Sequence, residues 1–154
     1  MTDTELRRSL IDGPHGCYLF CGEEYYMIMH RADELRRRVV GEDPTLSSFN
    51  RLYFEGDQDP QTIRDASLTM PFMSDTLLIE WQDVPIDSWK EEKREQFCRL
   101  FDELNRSREV VVLLIARQEF FDPGTDKRPS PRLQKLTSCM QIVRFDKQDE
   151  SKLA

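Results

Sequence analysis

Short apolar runs alternate along the chain with longer segments in which apolar residues recur every three or four positions. Runs of the first kind are typical of buried strands, and the second kind of spacing is typical of helices that bury one face. Five strands are predicted, at residues 16–21, 49–57, 75–81, 109–116 and 140–145. The fourth is apolar on both faces, as expected of a central strand that helices cover on each side.

Helices are predicted between these strands, where start and stop signals frame the amphipathic segments. They span residues 5–11, 23–40, 60–70, 88–104 and a stretch from residue 131 onward, and a further helix begins in residues 149–154. Asp59 and Ser130 each precede a proline, which is typical of a helix N-cap followed by proline at the first helical position. The predicted buried face of the second helix carries Tyr25, Ile28, Ala32, Leu35 and Val39. The predicted buried face of the fourth helix carries Trp89, Phe97, Leu100, Phe101 and Leu104.

Five alternations of strand and helix predict an α/β fold, namely a three-layer α/β/α domain with a five-stranded parallel sheet. The 154 residues suit one domain, which we assign to residues 1–148. Residues 149–154 are predicted to begin a helix that leads onward. In such sheets ligands bind beyond the carboxyl ends of the strands, so candidate chemistry is sought there first.

The chain is acidic, with 29 acidic and 22 basic side chains and a net charge of -7. This balance argues against an autonomous nucleic-acid-binding protein, which normally carries a basic surface. Residues 41–82 hold eight acidic and two basic side chains, whereas residues 117–154 hold six acidic and eight basic ones. There is no run of about twenty apolar residues and no apolar centre of a secretory signal, so a cytoplasmic protein without a membrane span is expected.

Four cysteines and two histidines are the whole supply of soft metal ligands: Cys17, Cys21, Cys98, Cys139, His15 and His30. The even spacing of Cys17 and Cys21 places both on one face of the first strand. We interpret the cysteines as small core residues in a reducing compartment, and the histidines as structural or surface residues. A zinc site that combines His15 with the cysteines is the alternative, although the sequence shows no evident fourth ligand.

The turn after the first strand, where a nucleotide-binding fold would hold phosphates, reads Gly22-Glu23-Glu24. A phosphate loop needs several glycines and a lysine followed by serine or threonine, and Gly22 alone meets this pattern. Two carboxylates at a helix start satisfy its dipole and repel a triphosphate, so ATP binding is not expected. Glu80 or Asp83 is a candidate metal ligand, but an exposed carboxylate is the preferred interpretation of both. No nucleophile and base lie at a suitable spacing, so no catalytic residue is assigned.

The sequence Met70-Pro71-Phe72-Met73 places three large apolar side chains around a proline, between the third predicted helix and the third strand. This segment, residues 70–73, is called the apolar turn below. In one interpretation Phe72 packs under the sheet and the methionines fill gaps in the core. In the other, the turn presents an aromatic anchor and adaptable methionines to a partner. Composition alone favours the core interpretation.

Four segments together resemble the amino-terminal domain of the delta subunit of bacterial DNA polymerase III, a clamp-loader subunit. They are YLFCGEEYYMI from Tyr18, FNRLYFEGD from Phe49, TMPFMSDTLLIEW from Thr69 and VVVLLIA from Val110. The family pattern is a Tyr-Leu-Leu-x-Gly-Glu-Glu opening, a strand ending in an acidic Gly-Asp, and a Leu-Pro-Phe-Phe-Ser turn before an apolar strand. The resemblance covers essentially the whole chain, with the segments in the family's order.

The resemblance implies the AAA+ (RecA-like) core of P-loop NTPases, with a nucleotide site that has decayed at Gly22, Glu23 and Glu24. It implies no cofactor, no metal and no catalytic activity of the chain's own, within a DNA-directed DNA polymerase (nucleotidyltransferase) holoenzyme. Related ATPase subunits carry a Ser-Arg-Cys motif whose arginine reaches a neighbour's nucleotide. Ser138 stands at the position of that arginine here.

In the family, the turn that matches residues 70–73 docks on the beta sliding clamp and opens one interface of this ring. The resemblance therefore makes Phe72 the expected anchor and Met70, Pro71 and Met73 further contacts, and it outweighs the core interpretation. The other implied partners are the delta prime and gamma/tau clamp-loader subunits. They assemble through a helical collar, which together with a small helical domain follows the first domain.

Primer-template DNA is an expected partner only within the full complex. The candidates for contacting it are Lys127, Arg128, Arg132 and Lys135, in a segment where prolines interrupt the basic helix that the family shows. A solvated charged face is the alternative interpretation of these four residues.

Two other functions are compatible with the predicted fold. A divergent nucleotide-binding ATPase domain is the main alternative. A receiver-like α/β domain ranks last, because the acidic cluster that such domains carry after the first strand is missing.

Overall fold

One parallel sheet of five strands forms the middle of the structure, a computed structural model that describes residues 1–125 and 127–147. The strands are β1 (Gly16–Gly22), β2 (Arg51–Glu55), β3 (Leu77–Gln82), β4 (Val110–Arg117) and β5 (Gln141–Arg144). They lie in the order β2-β3-β4-β1-β5, and every neighbouring pair in the sheet is parallel. The predicted α/β fold with a five-stranded parallel sheet is therefore confirmed.

Helices cover both faces of this sheet and make it the middle of three layers. They are α1 (Asp3–Asp12), α2 (Tyr25–Val40), α3 (Pro44–Asn50), α4 (Pro60–Ser67), α5 (Glu91–Asn105) and α6 (Pro131–Leu136). Helices α1 and α2 bury residues such as Leu6 and Ile28, respectively, against one face. On the other face, α4, α5 and α6 enclose a core in which Trp81, Trp89 and Phe97 lie 4.6 to 5.9 Å apart, ring centroid to centroid. Burying side chains of this size contributes about 1.5–3 kcal/mol each.

Helix α3 occupies the start of the predicted second strand, which begins only at Arg51. The Asp43 carboxylate accepts the N–H groups of Thr45 and Leu46 at 2.9 and 3.1 Å, and Pro44 takes the first helical position. This Asp-Pro sequence is the same start signal that predicts the helix after β2. The boundary predicted at residue 49 is wrong because that signal, and not strand propensity, determines the local structure.

Two features of the predicted helices also need correction. Helix α5 begins at Glu91 and not at Ser88, because a short 3-10 turn, Ile86–Ser88, comes first. Tyr25 is 44% exposed instead of lying on the buried face of α2. It opens that helix just beyond the edge of the sheet, where the Arg117 guanidinium lies 5.4 Å from its ring centroid.

Across residues 1–125 and 127–147, no helix is both long and apolar enough to cross a membrane. The helix predicted in residues 149–154 and the domain boundary predicted at residue 148 lie outside the described residues.

Candidate functional site

The apolar turn lies on the surface, between α4 and β3. Met70 and Met73 are 79% and 78% exposed, Phe72 is 50% exposed, and Pro71 is partly buried. The core location of Phe72 that composition alone favours is therefore wrong. Leu68, just before the turn, is also exposed and extends the apolar surface. A run of exposed large apolar side chains is typical of an interaction surface.

The end of α3 holds Phe72 in place. The ring of Phe49, itself exposed, lies 5.1 Å from the Phe72 ring, centroid to centroid. Asn50 is fully buried, and its side chain bonds both polar backbone groups of Phe72. Its Nδ2 donates to the Phe72 carbonyl oxygen at 2.8 Å, and its Oδ1 accepts the Phe72 N–H at 2.5 Å. The backbone of the turn is thus fixed from inside while the side chains stay available to a partner.

The register of the sheet explains why α3 and the apolar turn meet. Arg51, the first residue of β2, pairs with Leu78 of β3. The segments that lead into these two strands therefore lie side by side at the amino edge of the sheet. The sequence pattern predicts a strand at Phe49 and Asn50 and therefore gives no indication that they are site residues. The Asp43-Pro44 helix start was the signal that could have corrected this assignment.

At the opposite, carboxyl edge, the turn after β1 packs against the end of β5. Gly22 has a φ of 120°, and a Cβ at this position would lie 2.5 Å from the Phe145 carbonyl oxygen. The Glu24 N–H donates to the same oxygen at 2.9 Å, and Glu23 is exposed beside it. Gly22 is therefore required by the close approach of Phe145. The Glu24 amide, at the start of α2, is already bonded within the chain and is not free for a phosphate.

Both carboxylates considered as metal ligands are engaged by arginines. Glu80 is fully buried and lies 2.8 Å from Arg36 and 2.5 Å from Arg51. Asp83 accepts two hydrogen bonds from the Arg117 guanidinium, at 2.7 and 3.0 Å. The preferred interpretation of an exposed carboxylate is wrong for Glu80, because the two guanidinium groups compensate its charge inside the fold. It is also wrong for Asp83, which is partly buried against Arg117.

The four basic residues considered for DNA contact have different environments. Arg132 donates to two backbone carbonyls of the segment that precedes α5, at 3.1 and 2.5 Å. The Lys135 ammonium lies 3.3 Å from the Glu91 carboxylate. Lys127 and Arg128 are exposed in the loop before α6. Arg132 therefore ties α6 to its neighbour, and the exposed basic charge of this segment lies mainly in the loop.

The cysteines fall into two groups. Cys17 and Cys21 are buried on one face of β1, as predicted, and burial raises the pKa of both thiols. Cys98 is only partly buried but packs against the core, and Cys139 lies beside it and is buried. His15 is exposed. Among the residues that the structure describes, no three His, Cys, Asp or Glu side chains are grouped to hold a metal ion.

Comparison with solved structures shows which known proteins share this fold. The Bacillus subtilis DNA clamp loader delta protein matches with a TM-score of 0.69 at 20% identity, over 97% of this chain and 44% of that one. A DNA polymerase III gamma subunit-related protein from Thermotoga maritima matches with a TM-score of 0.63 at 17% identity, over 97% of this chain and 47% of that one. The domain thus shares a RecA-like α/β fold with these two proteins. The chain spans less than half of the length of each of these two proteins.

The family model for DNA polymerase III, delta subunit, matches residues 18–122, well over half of the chain. The chain therefore belongs to the DNA polymerase III delta subunit family, and the resemblance noted from the sequence is confirmed. Among curated proteins, none matches the sequence.

Proposed function

We propose that this chain is the clamp-binding domain of a clamp loader and acts in the cytoplasm within the DNA polymerase III holoenzyme. It binds the beta sliding clamp through the apolar turn, with Phe72 as the anchor and Met70, Pro71 and Met73 as surrounding contacts. It helps to open the ring and has no ATPase activity of its own. The observation that carries the proposal is an exposed Phe72 whose backbone is fixed by the buried Asn50.

The chemistry of the turn suits an apolar pocket on a partner. An aromatic side chain at the centre of an interface typically contributes 2 kcal/mol or more, measured by truncation to alanine. The flexible side chains of Met70 and Met73 adapt to the surface around such an anchor. Because Asn50 already orders the turn, binding costs less conformational entropy than it would for a mobile loop.

Ring opening follows from a difference in affinity. A ligand shifts an equilibrium only when it binds one state more tightly than the other. The surface around Phe72 must therefore bind the opened clamp interface better than the closed one. In this mechanism the chain acts as a wedge, and the ATP-binding subunits control when the apolar turn reaches the clamp.

Three observations support a domain that does not hydrolyse ATP. The Phe145 carbonyl oxygen occupies the space beside Gly22 and accepts the Glu24 N–H. The carboxylates of Glu80 and Asp83 are held by arginines. The position that carries an arginine in related ATPase subunits is Ser138. Titration calorimetry with ATP and Mg²⁺ tests this part of the proposal, and a micromolar affinity would contradict it.

The other partners belong to the assembled complex. We propose that the delta prime and gamma/tau subunits join this chain through a helical collar, and that primer-template DNA is contacted only in that complex. Lys127 and Arg128, which are exposed, are the best placed of the four basic candidates. Arg132 and Lys135 already have partners within the chain.

The central experiment compares clamp binding of the wild-type chain and the Phe72→Ala variant on immobilised beta clamp. We expect affinity to fall more than tenfold, because the anchor is lost. The melting temperature is expected to remain nearly unchanged, because the ring is half-exposed. Tyr26→Ala is the matched control, since Tyr26 is also exposed but lies at the carboxyl edge of the sheet. It should leave clamp affinity unchanged.

Two outcomes would contradict this proposal. In the first, Phe72→Ala binds the clamp as tightly as the wild type while its melting temperature falls strongly. In the second, Tyr26→Ala loses as much affinity as Phe72→Ala, which would place the interface elsewhere.

A further inference from the structure

Two cysteines from distant parts of the sequence meet between α5 and the turn that enters β5. The Cys139 thiol donates to Cys98 Sγ, with 3.1 Å between the sulfur atoms and 41 residues between the positions. Both thiols are free in the structure. Because a disulfide bond is about 2.05 Å long, each sulfur has to move by only about half an ångström to form one.

The surroundings of Cys98 favour a reactive sulfur. The hydrogen bond from Cys139 and the guanidinium of Arg94, whose Nη1 lies 3.5 Å from Cys98 Sγ, lower the pKa of Cys98 to about 7. The same hydrogen bond and burial raise the pKa of Cys139. Cys98 is partly exposed and Cys139 is buried. A reachable thiolate beside a covered second thiol is typical of cysteine pairs that respond to oxidants.

We propose that Cys98 and Cys139 form a peroxide-sensitive pair that closes reversibly to an intramolecular disulfide. The Cys98 thiolate attacks one oxygen of hydrogen peroxide, the O–O bond breaks, and the departing hydroxide takes a proton to become water. This leaves Cys98 as a sulfenic acid. The Cys139 sulfur then attacks the Cys98 sulfur, the S–O bond breaks, and the departing hydroxide takes the Cys139 proton. In total, two thiols lose two electrons and one peroxide becomes two water molecules.

The reverse step is thiol–disulfide exchange with a small dithiol, which is oxidised as both cysteines return to thiols. The disulfide would link α5 to the chain that enters β5.

Cys17 and Cys21 serve as internal comparisons, because both are buried and the pKa of each is raised, so the peroxide should not reach or activate them. The cysteine pair is separate from the apolar turn, so this inference does not depend on clamp binding.

The test is peptide mapping of the purified, reduced chain after exposure to a small excess of hydrogen peroxide and alkylation of the remaining thiols. We expect a monomer in which Cys98 is joined to Cys139, whereas Cys17 and Cys21 are alkylated only after denaturation. Dithiothreitol should restore all thiols. The cross-link should raise the melting temperature by roughly 5–10 °C, since it restricts the unfolded chain.

Variants separate the roles of the two sulfurs. Cys139→Ser should stop at a sulfenic acid on Cys98, which dimedone traps, and Cys98→Ser should abolish the rapid reaction. Cys17→Ala, the matched control, should form the same disulfide at the wild-type rate. The proposal is overturned if peroxide consumes all cysteines at similar rates, joins separate chains through Cys98, or leaves the pair reduced while the unfolded chain is oxidised.

Discussion

The side-chain amide of Asn50 bonds both the N–H and the carbonyl oxygen of Phe72, at 2.5 and 2.8 Å. Asn50 is fully buried and Phe72 is half-exposed, so a buried side chain fixes the backbone conformation of a surface residue. Met73, the next residue, has a left-handed φ of 51°, which a residue other than glycine rarely adopts. The hydrogen bonds of Asn50 help to hold the turn in this unusual conformation.

Asn50→Ala should therefore loosen the apolar turn without removing any side chain from its surface. Two lost hydrogen bonds correspond to about 1–3 kcal/mol of unfolding free energy. We expect faster backbone hydrogen exchange at Phe72 and a roughly three- to tenfold weaker clamp affinity. Exchange measured by mass spectrometry or NMR tests the structural part independently of clamp binding. Unchanged exchange at Phe72 would show that Asn50 does not hold the turn.

Gly22→Ala should destabilise the fold through the contact between β1 and the end of β5. The new Cβ would lie 2.5 Å from the Phe145 carbonyl oxygen, at a φ of 120° that alanine avoids. We expect a loss of about 2–4 kcal/mol in urea denaturation. Gly56→Ala is the matched control, because φ is 76° there but nothing lies within 4 Å. It should cost about 1–2 kcal/mol; equal losses in both variants would refute the steric argument.

Glu80→Ala should be among the more destabilising substitutions in the sheet. It leaves Arg36 and Arg51 without the carboxylate that they share and opens a cavity beside β3. We expect the unfolding free energy to fall by about 3 kcal/mol. Glu55→Ala, an exposed acid on neighbouring β2, should change it by less than about 0.5 kcal/mol. Denaturation of the two variants side by side gives the comparison, and similar values for both would contradict it.

The interaction of Glu91 with Arg94 and Lys135 predicts that part of the protein's stability is lost at acidic pH. Hydrogen bonds from Arg94 and Lys135 lower the pKa of Glu91 from 4.5 to about 2. A carboxyl group whose pKa is lowered by folding stabilises the protein above its unfolded pKa, and this contribution is lost as the pH falls from about 4.5 to about 2. Glu91→Gln should thus be less stable than the wild type at neutral pH.

The difference in melting temperature between Glu91→Gln and the wild type should shrink steadily below pH 4.5. Thermal denaturation of both proteins across this range is the measurement. Glu92→Gln, at the next exposed position of the same helix turn, is the control for removing one surface carboxylate. A constant difference for Glu91→Gln at all pH values would contradict the assignment of its partners.

The three-layer arrangement and the parallel direction of the strands could be predicted from the sequence, because both depend on local patterns. Apolar runs such as residues 109–116 mark strands that are covered on both faces, and their alternation with helices requires parallel connections. The exposure of Phe72 could not be predicted from composition, because large apolar side chains next to a proline favour the core interpretation. Only the family resemblance favoured the surface.

The features that the sequence pattern does not indicate all depend on contacts between distant positions. The role of Asn50 depends on its two hydrogen bonds to Phe72, which is 22 positions away along the chain. Glu80 is buried only because arginines from two other elements compensate its charge. Cys98 lies on α5 and Cys139 in the turn that enters β5, and no spacing rule brings the two together. A single sequence carries no direct signal for such pairs.

Strand β3 is six residues long, so about 20 Å of rigid backbone separates the rim that carries Phe72 from the rim that carries Gly22. Because hydrogen-bonded strands separate the two rims, we expect a substitution at one rim to leave the structure of the other rim unchanged. Under the proposed function, the clamp-binding rim can therefore change in sequence without altering the rim that carries Gly22.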